Sequence, residues 1–236
     1  LDYSAWGLNP LGHHLTNNVL HAANTFLVVL LVVKLLEAAR LPSRGQVVKG
    51  SSNDSTARQL NSSSFTVGGS RFALIAAGTT GLLFGLHPLH VESAAWVSER
   101  KDLLCALFFL LSILSYLNSQ GAKGRGQSVK TQEGLFSVFY AMRFALCFFV
   151  LALLSKPMAI SLPLVLLILD WYPFKRVGSL RTFRTAAAEK LPLIALGLAS
   201  SIVTILAQKA GGAMGSLENA SLAIRVLTAF KALAFY

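Results

Sequence analysis

Charged residues are scarce in this sequence of 236 residues. Asp, Glu, Lys and Arg together make up 13% of it, whereas 54% of the residues are hydrophobic. A soluble domain ordinarily carries about twice that charged fraction. The composition therefore excludes a typical water-soluble fold and predicts an integral membrane protein.

Cysteine is also scarce, since Cys105 and Cys147 are the only two in the sequence. Both lie inside apolar stretches, and neither belongs to a Cys-x-x-Cys or Cys/His motif. Their spacing indicates neither a disulfide framework nor a cysteine-based zinc site. A signal-peptide pattern is absent at the start, and the last residues stop within an apolar run, so we expect an internal part of a longer protein.

Long apolar blocks are abundant instead. A hydrocarbon core of about 30 Å needs about 20 apolar residues in each helical span. The predicted spans are 15–36 (A), 72–86 (B), 103–117 (C), 135–154 (D), 157–172 (E), 191–207 (F) and a further one (G) from about 222. We predict an all-α, polytopic transmembrane helix bundle of about six to seven spans over residues 1–236.

Basic residues predict the orientation of this bundle. The net charge of +11 lies mostly between the apolar blocks, which argues against a nucleic-acid partner. The A–B, C–D and E–F connections hold 13 Lys and Arg residues, and the alternate connections hold four. Because basic loops are retained in the cytoplasm, residues 1–14, 87–102, 155–157 and 208–221 are predicted to face the lumen or periplasm.

Two connections have distinctive compositions. Segment 38–70 is rich in Ser, Asn, Gly and basic residues and lacks apolar periodicity, which predicts a disordered cytoplasmic insert. Lys156 separates spans D and E. A single kinked helix would place this lysine at mid-membrane, at a cost of about 2.5–3.5 kcal/mol, so a tight outward turn is predicted. There Lys156 either meets the phosphate of a lipid carrier or snorkels from a helix end.

The outward loop HPLHVESAAWVSERKD, residues 87–102, contains the densest group of polar side chains. His87 and His90, three residues apart, share one face of a short helix. Arg100 and Lys101 are suited to bind a phosphate. His87, His90 or Glu92 could exchange protons with a substrate. The loop is therefore the first candidate site.

Two other interpretations of this loop remain open. It could be an interfacial turn held by local hydrogen bonds, with Trp96 anchored in the aromatic belt. His87, His90 and Glu92 could also bind a metal ion, but the His-x-x-His-x-Glu spacing is not a recognised zinc signature. No metal is predicted.

Polar residues also occupy the outer mouth of span A. His13, His14 and Asn17 could line a polar entrance for a sugar. Alternatively, Asn17, His21 and Asn24 follow one helix face and hydrogen-bond to neighbouring helices. Both interpretations remain open at this point.

Two further patterns are interpreted structurally. Asp170, followed by an aromatic and basic segment, indicates the end of a span and an interface anchor. Gly78, Gly81 and Gly85 recur on one face of span B and indicate close helix packing.

Three phrases resemble a known family: NPLGHHLTNNVLHAAN, LHPLHVESAAWVSERKDLL and LLSKPMAISLPLVLLILDWYPFKR. Together they resemble the transmembrane and tetratricopeptide-repeat O-mannosyltransferases, including bacterial relatives. The resemblance implies a C-type glycosyltransferase fold, with tetratricopeptide repeats downstream. It also implies an endoplasmic reticulum membrane in a eukaryote, or an inner or plasma membrane in a bacterium.

The resemblance further implies an enzyme that transfers mannose from a dolichyl- or polyprenyl-phosphate carrier to Ser or Thr of a protein on the luminal or outer side. The expected catalytic acid precedes span A, upstream of this chain, so the part in hand is expected to be inactive alone. Arg100, Lys101 and Lys156 would lie near the lipid phosphate, and His87, His90 and Glu92 would shape the sugar site. No cofactor is firmly implied.

Two alternatives from other classes stay open. A polytopic transporter usually places ionisable groups near the bilayer midplane and often has two related halves. The chain could also be a non-catalytic membrane assembly subunit, and in that case substitution of His90, Glu92 or Lys156 would leave enzyme turnover unchanged.

Overall fold

The computed structural model describes residue 4 and residues 6–40, 55–124, 132–212 and 222–235. Side chains are described for residues 6–39, 71–120, 142–212 and parts of 223–232. Every long regular element in these ranges is an α-helix, which confirms the predicted all-α class.

The described residues form nine α-helices. Their bounds are α1 Pro10–Arg40, α2 Ser55–Leu86, α3 Leu89–Ala95, α4 Arg100–Gly124, α5 Gln132–Ser155, α6 Leu162–Trp171, α7 Leu180–Ala188, α8 Leu191–Ala210 and α9 Leu222–Phe235. Short 3₁₀ turns, Val97–Glu99 and Pro157–Ser161, precede α4 and α6.

Three helical segments are long and apolar enough to cross a membrane: Pro10–Ala39, Val97–Gln120 and Leu191–Ala210. A fourth crossing results if Arg71–Leu86 and Leu89–Ala95, which meet at a 62° bend, form one broken span. These segments coincide with predicted spans A, C, F and B.

The segment at span D is Met142–Ser155, the part of α5 whose side chains are described, and the segment at span E is the shorter apolar stretch Pro157–Trp171. The second is about 25 Å long at the usual helical rises, less than the hydrocarbon core of about 30 Å. The total of six to seven crossings stays a prediction.

The core lies where α4 packs along α5 and where α6 and α8 cover that pair. Its most buried large side chains are Tyr116, Phe149, Leu162, Leu166 and Leu193. Ser112 on α4 donates a 2.7 Å hydrogen bond to the carbonyl of Ala145 on α5. α1 packs against α2 and α4, so the outward loop between α2 and α4 lies beside the start of α1.

The chain breaks between α5 and α6, as the sequence predicts. α5 ends at Ser155, Lys156 is extended with φ −156° and ψ 126°, and Pro157 opens the 3₁₀ turn. Proline lacks an N–H and disfavours a helical residue before it, so α5 cannot continue through this point. The tight turn is confirmed, and the membrane face on which it lies stays a prediction.

Helix α2 begins inside the segment that was predicted as a disordered insert. Residues 38–40 and 55–70 are helical, residues 41–54 lie outside the described residues, and the insert as a whole stays a prediction. A helix satisfies its backbone hydrogen bonds internally, so it can extend beyond an apolar block into polar sequence.

Glycines on α2 allow a close approach to α1, but only at two of the three predicted positions. A Cβ added at Gly81 would clash with Cγ2 of Val29, and one at Gly85 would lie 3.2 Å from Cγ2 of Thr25. A Cβ at Gly78 would meet nothing within 4 Å. The packing interpretation holds for Gly81 and Gly85 and is wrong for Gly78.

We expect Gly81→Ala to destabilise the protein by about 1–3 kcal/mol, the usual cost of overpacking. Gly78→Ala is the matched control, because alanine gains up to about 1 kcal/mol of helix propensity there and meets no neighbour. Unfolding midpoints in lipid nanodiscs would separate the two. Equal midpoints would show that α1 does not approach α2 at Gly81.

Candidate functional site

The outward loop is a short helix, a break and a tight turn. α3 starts directly after Pro88, Trp96 is extended with φ −90° and ψ 123°, and the Val97–Glu99 turn leads into α4. The predicted short helix is therefore present, and the break at Trp96 brings the next polar residues to the first turn of α4.

Arg100 and Asn17 fasten this loop to α1. Nε of Arg100 donates a 2.8 Å hydrogen bond to Oδ1 of Asn17, and Nη2 donates a 3.1 Å bond to the carbonyl of His13. The Asn17 amide donates to the carbonyls of Ala94 and Trp96 at 3.2 and 3.1 Å. Asn17 is fully buried, and its side chain holds the loop against α1. Its predicted role at a sugar entrance stays a prediction.

Further along the same face of α1, His21 and Asn24 also contact backbone carbonyls of neighbouring helices. Nε2 of His21 lies 3.0 Å from the carbonyl of Gly85 on α2, and the Asn24 amide donates a 3.0 Å bond to the carbonyl of Leu103 on α4. The interpretation of Asn17, His21 and Asn24 as interhelical hydrogen-bond partners is confirmed.

The other two residues of the predicted sugar entrance lie at the start of α1. Nε2 of His13 lies 3.0 Å from the carbonyl of Gly7, and His14 is exposed. Their role toward a sugar stays a prediction.

Three histidines meet where α2 ends. The His90 ring lies 6.1 Å from His87 and 5.7 Å from His21, measured between ring centroids, and 4.3 Å from Phe84. His87 precedes α3, which begins at Leu89, so the prediction that His87 and His90 share one face of that helix is wrong, although their rings lie close together. The approach of His21 was not predicted. Burial, and then the proximity of His21 and His87, lowers the pKa of His90.

Lys156 reaches the start of α4 and pairs with Asp102. Its Nζ lies 2.7 Å from each carboxylate oxygen of Asp102, so the α5–α6 turn adjoins the outward loop. Nζ of Lys101 lies 3.6 Å from Oε1 of Glu99 and its side chain is about half exposed. The sequence analysis missed Asp102, although an acidic residue in the first helical turn is a recognisable signal.

The polar residues therefore form two adjacent groups. Arg100, Lys101 and Lys156 lie at the start of α4, and His87 and His90 lie at the α2–α3 junction. The groups are connected through Asn17 and His21, which are four residues apart on α1 and so occupy one helix face. Glu92 is exposed on α3.

A groove of about 740 Å³ runs between α1 and α2. Its lining is mainly apolar, with polar side chains at Asn18, His21 and Thr25. His21 also contacts the histidine group, so the groove begins beside that group. Its shape and lining suit an apolar chain.

A second buried group lies at the other end of α4 and was missed. Oδ1 of Asp170 accepts hydrogen bonds from the hydroxyl of Tyr116 at 2.7 Å and from Nη1 of Arg176 at 3.1 Å. Lys190 contacts the other carboxylate oxygen and donates a 2.9 Å bond to Tyr116. The predicted end of a span is present, since α6 ends at Trp171. Asp170 and Lys190 are fully buried, and this buried ion-pair group was not predicted.

The comparisons with known proteins identify relatives. The chain is 34% identical to protein O-mannosyl-transferase TMTC4 of Homo sapiens over 146 residues, which is 61% of this chain and 17% of that protein. It is 33% identical to Tmtc1 of Drosophila melanogaster over 116 residues, 49% of this chain and 9% of that protein. The chain resembles the TMTC family. Human TMTC2 matches at 30% over 131 residues, 56% of this chain and 11% of that protein.

The match to these TMTC relatives spans less than a fifth of their length. No family model matches the chain, and no solved structure matches it.

The described part of this TMTC-like chain favours recognition of anions and hydroxyl groups. Cations at a helix start suit a phosphate, and the ring nitrogens of imidazoles can hydrogen-bond to hydroxyl groups. Among the described residues, no group of three or more His, Cys, Asp or Glu side chains is arranged to hold a metal ion.

Proposed function

We propose that the whole protein is a membrane protein O-mannosyltransferase. Its donor is dolichyl- or polyprenyl-phosphate mannose, and its acceptor is a Ser or Thr hydroxyl of a protein on the luminal or outer side. The observation that carries the proposal is the similarity to relatives that bear the name protein O-mannosyl-transferase.

The cations at the start of α4 suit the phosphate side of this reaction. In the transfer, the bond from the anomeric carbon to the phosphate oxygen breaks, and a bond to the acceptor oxygen forms. The acceptor proton passes to a base, and the lipid phosphate leaves as an anion. Arg100, Lys101 and Lys156 stabilise that anion, together with the helix N-terminus. No residue of this chain is assigned as the base.

The neighbouring groups suit the rest of the donor. His87, His90 and Glu92 hydrogen-bond the sugar hydroxyls, and the groove between α1 and α2 takes the first units of the isoprenoid chain. The proposal also includes a tetratricopeptide-repeat region downstream that binds protein. Its location is the endoplasmic reticulum membrane in a eukaryote, or the inner membrane in a bacterium.

The test uses the full-length protein, with its native N-terminus, in membranes supplied with radiolabelled dolichyl- or polyprenyl-phosphate mannose. We expect wild type to transfer label to protein. Glu92→Gln and Lys156→Ala should each lower the initial rate about tenfold or more, because each removes a charged group whose hydrogen bonds contribute about 1.5–3 kcal/mol. Lys209→Gln is the matched control, because Lys209 is exposed at the end of α8. It should keep the wild-type rate.

Two outcomes would contradict the proposal. If wild type transfers no sugar from any lipid carrier offered, the protein is not this transferase, and transport assays are the next step. If the variants keep full turnover per folded molecule, the loop does not bind the donor, as expected of an assembly subunit.

A further inference from the structure

From the end of α6 to the start of α8, the acidic residues all form ion pairs, whereas only some of the basic residues do. Both acidic residues of this stretch, Asp170 and Glu189, contact Arg176, with nearest distances of 3.1 Å. Asp170 also contacts the buried Lys190. The carboxylates of this stretch are therefore already paired with two cations that lie within the fold.

Three other cations of the same stretch point outward. Lys175, Arg181 and Arg184 are exposed. In the described part of the chain, their side chains make no hydrogen bond or ion pair. A patch of positive charge therefore remains on the surface, and we call Lys175, Arg181 and Arg184 the basic patch.

Helix α7 places the basic patch beside exposed apolar side chains. A capping box between Ser179 and Thr182 fixes the start of the helix. Leu180 and Phe183, three residues apart and therefore on one face, are 69% and 44% exposed, while Ala186 is buried. The helix thus buries Ala186 and presents an exposed apolar stripe, Leu180 and Phe183, next to the exposed Arg181 and Arg184.

Aromatic residues continue this surface at the end of α6. Trp171 and Tyr172 are 66% and 65% exposed, and Trp and Tyr concentrate at the level of lipid head groups. An exposed apolar stripe with neighbouring basic and aromatic residues is typical of a helix that lies in a membrane interface. Charge complementarity selects an anionic partner for it.

We propose that α7 and the basic patch form a docking surface for anionic phospholipid head groups, with Leu180 and Phe183 at the boundary with the acyl chains. Each basic residue near an anionic lipid surface increases binding about fivefold. The surface lies at the opposite end of α4 from the candidate donor site, so the proposal does not depend on the transferase activity.

The test measures binding of fluorescent phosphatidylglycerol to the purified full-length protein in detergent micelles by anisotropy. We expect wild type to prefer phosphatidylglycerol over phosphatidylcholine with the same chains and label. Arg181→Gln/Arg184→Gln should weaken phosphatidylglycerol binding by about 25-fold and leave phosphatidylcholine binding unchanged. Lys209→Gln is the matched control and should bind as wild type does.

Further measurements keep the result interpretable. The unfolding midpoint of the double variant should equal that of wild type, because neither arginine side chain makes a hydrogen bond or ion pair with another described residue. Inorganic phosphate at the lipid concentration should not compete, which separates a lipid surface from a free-phosphate site. Unchanged phosphatidylglycerol binding by the double variant, or full competition by phosphate, would overturn the proposal.

Discussion

Replacing Asp170 by alanine is expected to lower the free energy of unfolding by about 3–5 kcal/mol, the typical cost of breaking a buried ion pair from one side. Without the carboxylate, the Lys190 ammonium would stay fully buried, and its acceptors among the described residues would be the Tyr116 hydroxyl and the carbonyl of Ala186. Arg176 would lose one of its two acidic partners. Unfolding curves in nanodiscs of fixed composition would measure the loss.

Companion variants separate the charge effect from simple truncation. Asp170→Ala combined with Lys190→Met removes both buried charges, so it should recover much of the lost stability. Tyr116→Phe removes only a hydroxyl and should cost about 1 kcal/mol. If Asp170→Ala alone costs less than Tyr116→Phe, the carboxylate is not the centre of this group.

Replacing Arg100 by glutamine is expected to lower kcat/KM for the lipid-linked donor by about 10- to 150-fold, because hydrogen bonds to a charged group contribute about 1.5–3 kcal/mol. The change removes the cation at the start of α4 and the contacts to Asn17 and His13. Initial rates at varied donor concentration, with the full-length protein, would measure the loss.

A purely structural role of Arg100 would give a different result. In that case the loss of rate would match the loss of folded protein, and the rate per folded molecule would stay at the wild-type level. Arg100→Lys keeps the charge but not the two-point hydrogen bonding, so partial rescue of donor binding is expected. Asn17→Ala tests positioning, since it removes the hydrogen bond from Nε of Arg100 to Asn17 and should raise KM while the cation remains.

Much of the helical architecture could be predicted from the sequence. Apolar blocks located α1, α4 and α8 because bilayer thickness sets the length of a span. The break at Lys156 was predictable because a mid-membrane lysine and a following proline both oppose a continuous helix. These features could be predicted because they depend on local sequence composition.

The buried groups were harder to predict because their partners are distant in sequence. Tyr116 and Asp170 are 54 residues apart, and Lys190 follows Asp170 by 20. Each residue alone suggests an interface position near the end of a span. Their meeting depends on how α4, α6 and the start of α8 pack, which hydrophobic periodicity does not specify.

The candidate site shows the same division. The loop 87–102 was identifiable from its polar density, but the prediction that His87 and His90 share a helix face was wrong because α3 begins only at Leu89. The approach of His21 to His90 and the pairing of Lys156 with Asp102 require tertiary packing of α1 and α5 around the loop.

Photocrosslinking of the donor would test the central proposal most directly. The full-length protein in nanodiscs would be illuminated with polyprenyl-phosphate mannose carrying a photoreactive group next to the phosphate, and adducts would be mapped by mass spectrometry. We expect adducts within residues 87–102 and at Lys156, suppressed by excess unlabelled donor. Adducts that excess unlabelled donor suppresses, but that occur only within residues 170–190 and not in the outward loop, would contradict a donor site at the start of α4.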